Sequence, residues 1–270
     1  MSLWKIREYK PEDVPELISL WLSNFEDTES FVRAFHEALP ELGSAMVAEL
    51  DGRVIGAAYA LNGQELVCPG EQSLQLGFLY GVSVDRQYRR HGAGAAVVSA
   101  ACELSRAMGA ETVAILPARG PLYDWYGAVL GMKNTLFRKV LSVKAQAAER
   151  CSVIAPAEYL LRREKLLEGL PHVHLTEASM AFAKTLMREY GGDVYAVCGG
   201  VAAAYMDGGL ALIRELILPD DGDVYRAAAS VACAMGAEEA RVFMPSTEGD
   251  RYILSDRALP AGCVWNLSFD

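Results

Sequence analysis

A five-residue string occurs twice in this 270-residue chain and constrains its fold more than any other feature. Ala107-Met108-Gly109-Ala110-Glu111 recurs unchanged as Ala234-Met235-Gly236-Ala237-Glu238. A β-prone run ending at a proline, Pro117 or Pro245, follows each copy. Upstream, Gly52-Arg53-Val54-Ile55-Gly56-Ala57-Ala58-Tyr59 has a counterpart in Gly199-Gly200-Val201-Ala202-Ala203-Ala204-Tyr205. Each lies between strand-like runs joined by a Gly-containing turn, which predicts a hairpin. Two matches in one order imply two copies of a single supersecondary plan. A chain of this length also exceeds the usual single domain. The boundary is expected in the linker 144–151, giving domains 1–146 and 147–270.

The copies differ most between hairpin and repeat. The first reads Val82-Ser83-Val84-Asp85-Arg86-Gln87-Tyr88-Arg89-Arg90-His91-Gly92-Ala93-Gly94-Ala95. An apolar strand meets a basic loop with two glycines, and a small-residue helix follows. The first turn of such a helix has unpaired N–H groups and the positive end of the peptide dipoles, so this order builds an anion site. Gly92 and Gly94 let a phosphate approach the main chain, since no Cβ intervenes. Three arginines concentrate positive charge in a chain of net charge -10. The second copy reads Leu216-Ile217-Leu218-Pro219-Asp220-Asp221-Gly222-Asp223 instead. Its aspartates repel a phosphate, so this copy is expected not to bind one.

Three phosphate-binding patterns compete for the first loop. A Walker loop needs Lys and Ser or Thr where Ala95-Ala96 stand. A dinucleotide fingerprint needs a third glycine, a position held by Val97, and glycines directly after the strand. The third is Arg-x-x-Gly-x-Gly preceded by Val-x-Val, which Arg89, Gly92, Gly94, Val82 and Val84 satisfy. That segment resembles the acyl-CoA loop of the GNAT superfamily of N-acetyltransferases. A charged surface turn is the alternative, and the strand–loop–helix context weighs against it.

The resemblance implies an α/β fold: two tandem GNAT-like domains, each a central, mostly antiparallel mixed sheet flanked by helices, the second degenerate. It implies acetyl-CoA as co-substrate, bound by Val82, Ser83, Val84, Arg89, Arg90, His91, Gly92, Ala93, Gly94 and Ala95. Pro121 opens a helix that Gly131 closes, with Trp125-Tyr126 inside it. In GNAT enzymes an aromatic-Tyr pair precedes a Gly-Phe, and the tyrosine protonates the departing thiolate. Here the pair stands before Gly131-Met132, one residue further off than usual. Tyr126 and Tyr123 are both candidates for that acid, against a purely packing role. Many such enzymes carry a Glu just before the Val-x-Val run, where this chain has Tyr80 and Gly81. The degenerate copy has Glu215 at the equivalent place, and Tyr80, Glu26, Asp27, Glu29 or water remain as bases. His36, His172 and His174 are expected to pack or face water, and His91 to contact phosphate or solvent.

The implied activity is transfer of an acetyl group to a primary amine of a small molecule or peptide. The alternative is a non-catalytic acyl-CoA-binding or interaction module. The acidic balance argues against a nucleic-acid partner, since phosphate contacts dominate that binding. No apolar run approaches a membrane span of about 20 residues, and no secretory signal is evident at the N-terminus. Six scattered cysteines lack metal-site spacing and read as reduced thiols of a cytoplasmic protein. No metal is expected, and the second domain is expected to cover the first, shape the acceptor pocket or make an oligomer contact such as a homodimer. Strands are expected at 45–50, 54–61, 74–84, 112–116, 136–143 and 263–269, with an exposed loop over 62–73 and a helix over 30–39.

Overall fold

The computed structural model describes residues 4–146 and 149–265. The elements follow in chain order. The first part contains β1 (Lys5–Glu8), α1 (Val14–Leu22), α2 (Glu29–Leu42), β2 (Gly43–Leu50), β3 (Arg53–Val67), β4 (Leu74–Val84), α3 (Ala93–Ala107), β5 (Thr112–Ile115) and α4 (Gly120–Leu130). Then come β6 (Asn134–Lys144), β7 (Cys151–Val153), α5 (Pro156–Leu166), β8 (His172–His174), α6 (Glu177–Glu189), β9 (Asp193–Val197), β10 (Gly200–Asp207), β11 (Leu210–Ile217), α7 (Val224–Met235), β12 (Glu239–Ser246) and β13 (Asp250–Ser255).

The chain forms two compact units, and they are not separated by one cut near residue 146. One comprises 1–65, 73–135 and 252–259; the other comprises 66–72, 136–251 and 260–270. In the first unit the strand order is β1-β2-β3-β4-β5-β13. β1, β2 and β3 are antiparallel neighbours, β4 and β5 are parallel, and Leu254 and Ser255 of β13 run antiparallel to Ile115 and Ala114. In the second the order is β6-β12-β11-β10-β9-β7.

The strand over 136–143 is thus present, but it is antiparallel to β12, from Glu239 opposite Lys144 to Ser246 opposite Phe137. It does not close the first unit; β13, Asp250–Ser255, does. Pairing depends on which edges meet in space, which local pattern does not encode. Other expectations shift in the same way. β3 continues through Gly63 to Val67, so strand replaces the first half of the loop expected over 62–73. α2 starts on the Thr28 hydroxyl, which accepts from the Phe31 N–H at 3.2 Å, and runs past Pro40 to Leu42. Pro40 forfeits one bond in the last turn without stopping the helix. The expected strand 263–269 is represented by a single bridge, Val264 to His172, and residues 266–269 lie outside the described residues.

The repeat has a physical meaning. Gly109 and Gly236 adopt φ of +101° and +75°, ending α3 and α7 in the left-handed region where glycine carries no Cβ penalty. Behind each, the N–H of Ala110 or Ala237 reaches back to the carbonyl of Ser105 or Ala232, at 3.1 and 3.0 Å. These are equivalent Schellman stops, and each delivers the chain to a strand parallel to the one before the helix. The hairpins match too. Asp51-Gly52 and Cys198-Gly199 both have two successive positive φ angles, the signature of a type I′ turn. Each unit has its own core: Val97, Val98, Ala101 and Ile115 in the first, Val231, Ala232, Ile213 and Val242 in the second. Among the described residues no helix is long and apolar enough to cross a membrane, and no cluster of metal-ligating side chains occurs.

Candidate active site

β5 pairs with β4 only over Leu76–Leu79 and ends at Ile115, whereas β4 runs on to Val84. The two parallel strands therefore part company at Tyr80. Gly81, at φ +55°, breaks the regular pleat at that point. Beyond it, the Asp85 N–H donates to Ile55 of β3 at 2.9 Å, so this residue faces β3. Alternation turns the main-chain groups of Val84 and Val82 to the opposite side, away from β3. The Val84 carbonyl there accepts from Arg89 Nε at 3.1 Å. Ser83 is buried against the unit, while Val82 and Val84 are half-buried.

The loop then turns into α3. Arg90 and Gly92 both take positive φ, +66° and +92°, and Gly92 is the N-cap residue without a side-chain cap. The first bond at the start of α3 runs from the Ala96 N–H to Gly92. The N–H groups of Ala93, Gly94 and Ala95 precede it and form the anion-favouring helix end that the loop implies. The glycines differ in what they are for. A Cβ at Gly94 would sit 3.4 Å from Val84 and 3.8 Å from Trp125, which is ordinary contact. Internal packing does not demand glycine there, so its bareness leaves room for something outside the fold. At Gly77, by contrast, a Cβ would come within 1.9 Å of Ser105 Oγ, and packing alone requires the glycine. A phosphate-bearing ligand fits the Gly94 cradle.

The arginines divide their work. Arg89 donates through Nη2 to Asn24 Oδ1 at 2.5 Å as well as to Val84, so it ties the loop to the end of α1. Arg86 reaches the Ser23 carbonyl at 3.4 Å. Arg90 and His91 are exposed beside the helix end. Asn24 was not legible from the sequence, because no local pattern links it to a loop 65 residues later.

α4 lies beside this helix end, with Trp125 against Gly94. Trp125 and Tyr126 meet edge to face, 4.7 Å between ring centroids. Tyr126 is 5% exposed and Tyr123 6%. Tyr123 donates from Oη to the Tyr252 carbonyl at 2.7 Å. No hydrogen bond to Tyr126 Oη occurs among the described residues, and burial pushes its phenol well above the usual tyrosine range. It keeps its proton at neutral pH.

Gly81 explains the missing strand carboxylate. A Cβ on it would fall 2.7 Å from Trp21 and 2.8 Å from Tyr59, so no side chain fits. The surrounding rings, Trp21, Phe35, Tyr59 and Tyr80, pack at centroid distances of 5.0 to 5.5 Å. Of the candidate bases, Asp27 accepts from Trp21 Nε1 at 2.8 Å and Glu29 pairs with Arg33, while Glu26 is exposed. His36 packs: Nδ1 donates to the Val32 carbonyl at 2.7 Å, which leaves Nε2 to accept from Tyr59 at 2.8 Å.

The second unit closes the equivalent features with its own side chains. The Asp223 carboxylate accepts from the N–H groups of Tyr225 and Arg226 at 2.9 and 3.1 Å, filling the helix end with fixed negative charge. Glu215 is fully buried, bonded by Arg163 at 2.9 and 3.2 Å and by Tyr159 at 2.9 Å.

Residues 5–131 match the family model described as acetyltransferase (GNAT) domain. No curated protein matched the sequence significantly. Among solved structures, a GCN5-related N-acetyltransferase from Kribbella flavida superposes with a TM-score of 0.68 at 15% identity, over 93% of this chain and 71% of that one. A GCN5-related N-acetyltransferase from Anabaena variabilis gives 0.64 at 13% identity, over 93% and 72%. Eis1 from Mycobacterium abscessus gives 0.61 at 11%, over 95% and 73%. At these identities the likeness is one of fold. The family match covers the parted strands, the glycine loop and α4 together, and through it the segment 5–131 is a GNAT acetyltransferase domain.

Proposed function

We propose that the first unit is an acetyl-CoA-dependent N-acetyltransferase that acts on a primary amine of a small molecule or peptide by direct attack. The observation that carries this reading is the coincidence of three features at one place: the β4 edge beyond Leu79, the bare α3 terminus at Gly94, and a protonated Tyr126 on α4 beside it. GNAT proteins use acetyl-CoA, and the donor assigned here is acetyl-CoA on that ground. The N–H groups of Ala93, Gly94 and Ala95, with Arg90 and His91 alongside, would hold the pyrophosphate; Val82 and Val84 would bond the pantetheine amides.

When bound, acetyl-CoA supplies an acetyl thioester, whose carbonyl carbon is open to a neutral amine nitrogen. The Val82 N–H donates to the carbonyl oxygen as negative charge builds on it. Tyr126 gives its Oη proton to the sulfur as the carbon–sulfur bond breaks, and a proton from the amine nitrogen passes to solvent. The protonated acid is what such a step needs, because a tyrosinate could not donate. The crowded Gly81 leaves no carboxylate on the strand, and this favours a second reading in which acyl-CoA is bound without transfer. A cytoplasmic setting, with reduced cysteines, accords with either.

The deciding experiment titrates acetyl-CoA calorimetrically into the wild type and Gly94→Glu. Gly94 suits the test because its backbone is ordinary, whereas a side chain at Gly92 is strained whatever it touches. Binding at one site per chain, lost in the variant, supports the cofactor assignment. Release of free thiol with a panel of primary amines, abolished in Tyr126→Phe, then separates transferase from binding module. No binding by folded wild type overturns both readings.

A further inference from the structure

The two tyrosines of α4 are three residues apart, hence neighbours on the helix surface, yet their hydroxyls have different fates. Tyr123 spends its only proton on a main-chain carbonyl 129 residues away in sequence. The acceptor, Tyr252, begins the part of β13 that belongs to the first unit. This segment is held firmly from several directions. Leu254 and Ser255 pair with β5. The Asp256 carboxylate accepts from Thr112 Oγ1 at 2.9 Å, from the Val113 N–H at 3.1 Å and from the Arg106 guanidinium. Thr135 Oγ1 donates to the Ile253 carbonyl at 2.9 Å, and Asn134 Nδ2 to the Asp256 carbonyl at 3.1 Å.

Thus a rigid, clasped strand presents one carbonyl to one turn of α4, and the next turn bears Tyr126. Proton transfer tolerates little misplacement, so a mobile helix would waste an acid held on it. We infer that residues 252–256 are a working part of the acetyl-transfer site, and that Tyr123 is the positioning residue through which they set Tyr126. The inference rests on Tyr126 as the acid proposed above. It also removes Tyr123 from contention as the acid, and it makes the matched segment 5–131 incomplete without the distant strand.

The test uses the whole 270-residue chain, because β13 lies outside the matched segment 5–131. Tyr123→Phe keeps the ring and deletes one hydroxyl; Asp256→Asn loosens the clasp at the other end. The first readout is tyrosinate absorbance against pH, taken as the difference between each protein and the same protein carrying Tyr126→Phe. In the wild type Tyr126 ionises well above the usual tyrosine range, since burial holds its proton. In Tyr123→Phe and Asp256→Asn the loosened helix admits water, and Tyr126 ionises nearer the ordinary value of about 10. Circular dichroism confirms that each variant is folded at the pH used. The second readout is acetyl-CoA affinity by calorimetry, expected within about twofold of wild type because the glycine loop is untouched. With an amine that supports thiol release, kcat falls about tenfold and KM for acetyl-CoA holds.

Two results overturn the inference. One is an unchanged Tyr126 titration in folded variants that merely melt at lower temperature, which makes the bond structural only. The other is thiol release that survives Tyr126→Phe and disappears in Tyr123→Phe. Failure of wild type to bind acetyl-CoA would instead strike the proposed function, while the titration would still decide the positioning role.

Discussion

The guanidinium of Arg89 donates to the side-chain oxygen of Asn24 at 2.5 Å while its Nε holds the Val84 carbonyl at 3.1 Å. One side chain thus joins the end of α1, the end of β4 and the loop that opens α3. Basic residues in such a loop invite the view that each grips phosphate, but this one is engaged by its own fold. Arg89→Ala is therefore expected to weaken acetyl-CoA binding about five- to tenfold by loosening the loop, in line with about 1 kcal/mol for the net loss of an exposed hydrogen bond. Asn24→Ala should weaken it in the same direction. A double-mutant cycle should show coupling of the two by calorimetry, and additive effects would refute the shared role.

Gly81 is expected to tolerate nothing larger. Gly81→Ala places a methyl group 2.7 Å from the Trp21 ring on a backbone with φ +55°. Overpacking and backbone strain together should cost about 2–4 kcal/mol, measured by urea unfolding. Gly94→Ala, with only ordinary contacts, should change stability by less than about 1 kcal/mol.

His36 carries a pH signature. Burial lowers its pKa below the usual value, so the folded state takes up a proton less readily than the unfolded chain. The sign follows from linkage: stability from this group is complete above about pH 6.5 and falls as acid protonates the unfolded form. Denaturant midpoints between pH 7 and 5 should decline, and His36→Asn should flatten that decline while lowering stability at pH 7. A slope unchanged by the substitution would place the proton uptake elsewhere.

In the second unit the Glu215 carboxylate answers a fully buried Arg163. Glu215→Ala takes the partner from Nε and Nη2 of that guanidinium, leaving Glu164 and the Val173 carbonyl on Nη1, and should destabilise by about 3 kcal/mol, seen as an earlier thermal transition. The pair Glu215→Ala with Arg163→Met removes both charges and should recover much of the loss. If Glu215 instead served acetyl transfer, the folded double variant would lose thiol release rather than keep it.

Much of this protein was legible in its one-dimensional text, because the signals concerned are local. Gly109 and Gly236 announced equivalent helix stops, since only a residue without Cβ takes φ of +101° or +75° at no cost. The strand, the glycine loop and the helix from Val82 to Ala95 announced a helix N-terminus without a side-chain cap, because a helix end exposes its N–H groups whatever surrounds it. Trp125-Tyr126 was visible as a pair on one short helix. The tertiary structure alone decided the rest, because those facts depend on residues far apart in sequence. It chose Asn24 as the partner of Arg89, crowded Gly81 with Trp21 so that no carboxylate fits, and gave Tyr123 to the Tyr252 carbonyl. It also sent β6 to β12 and β13 to β5. A strand carries the same periodicity beside any neighbour, so its partner is settled only when edges compete in the folded chain.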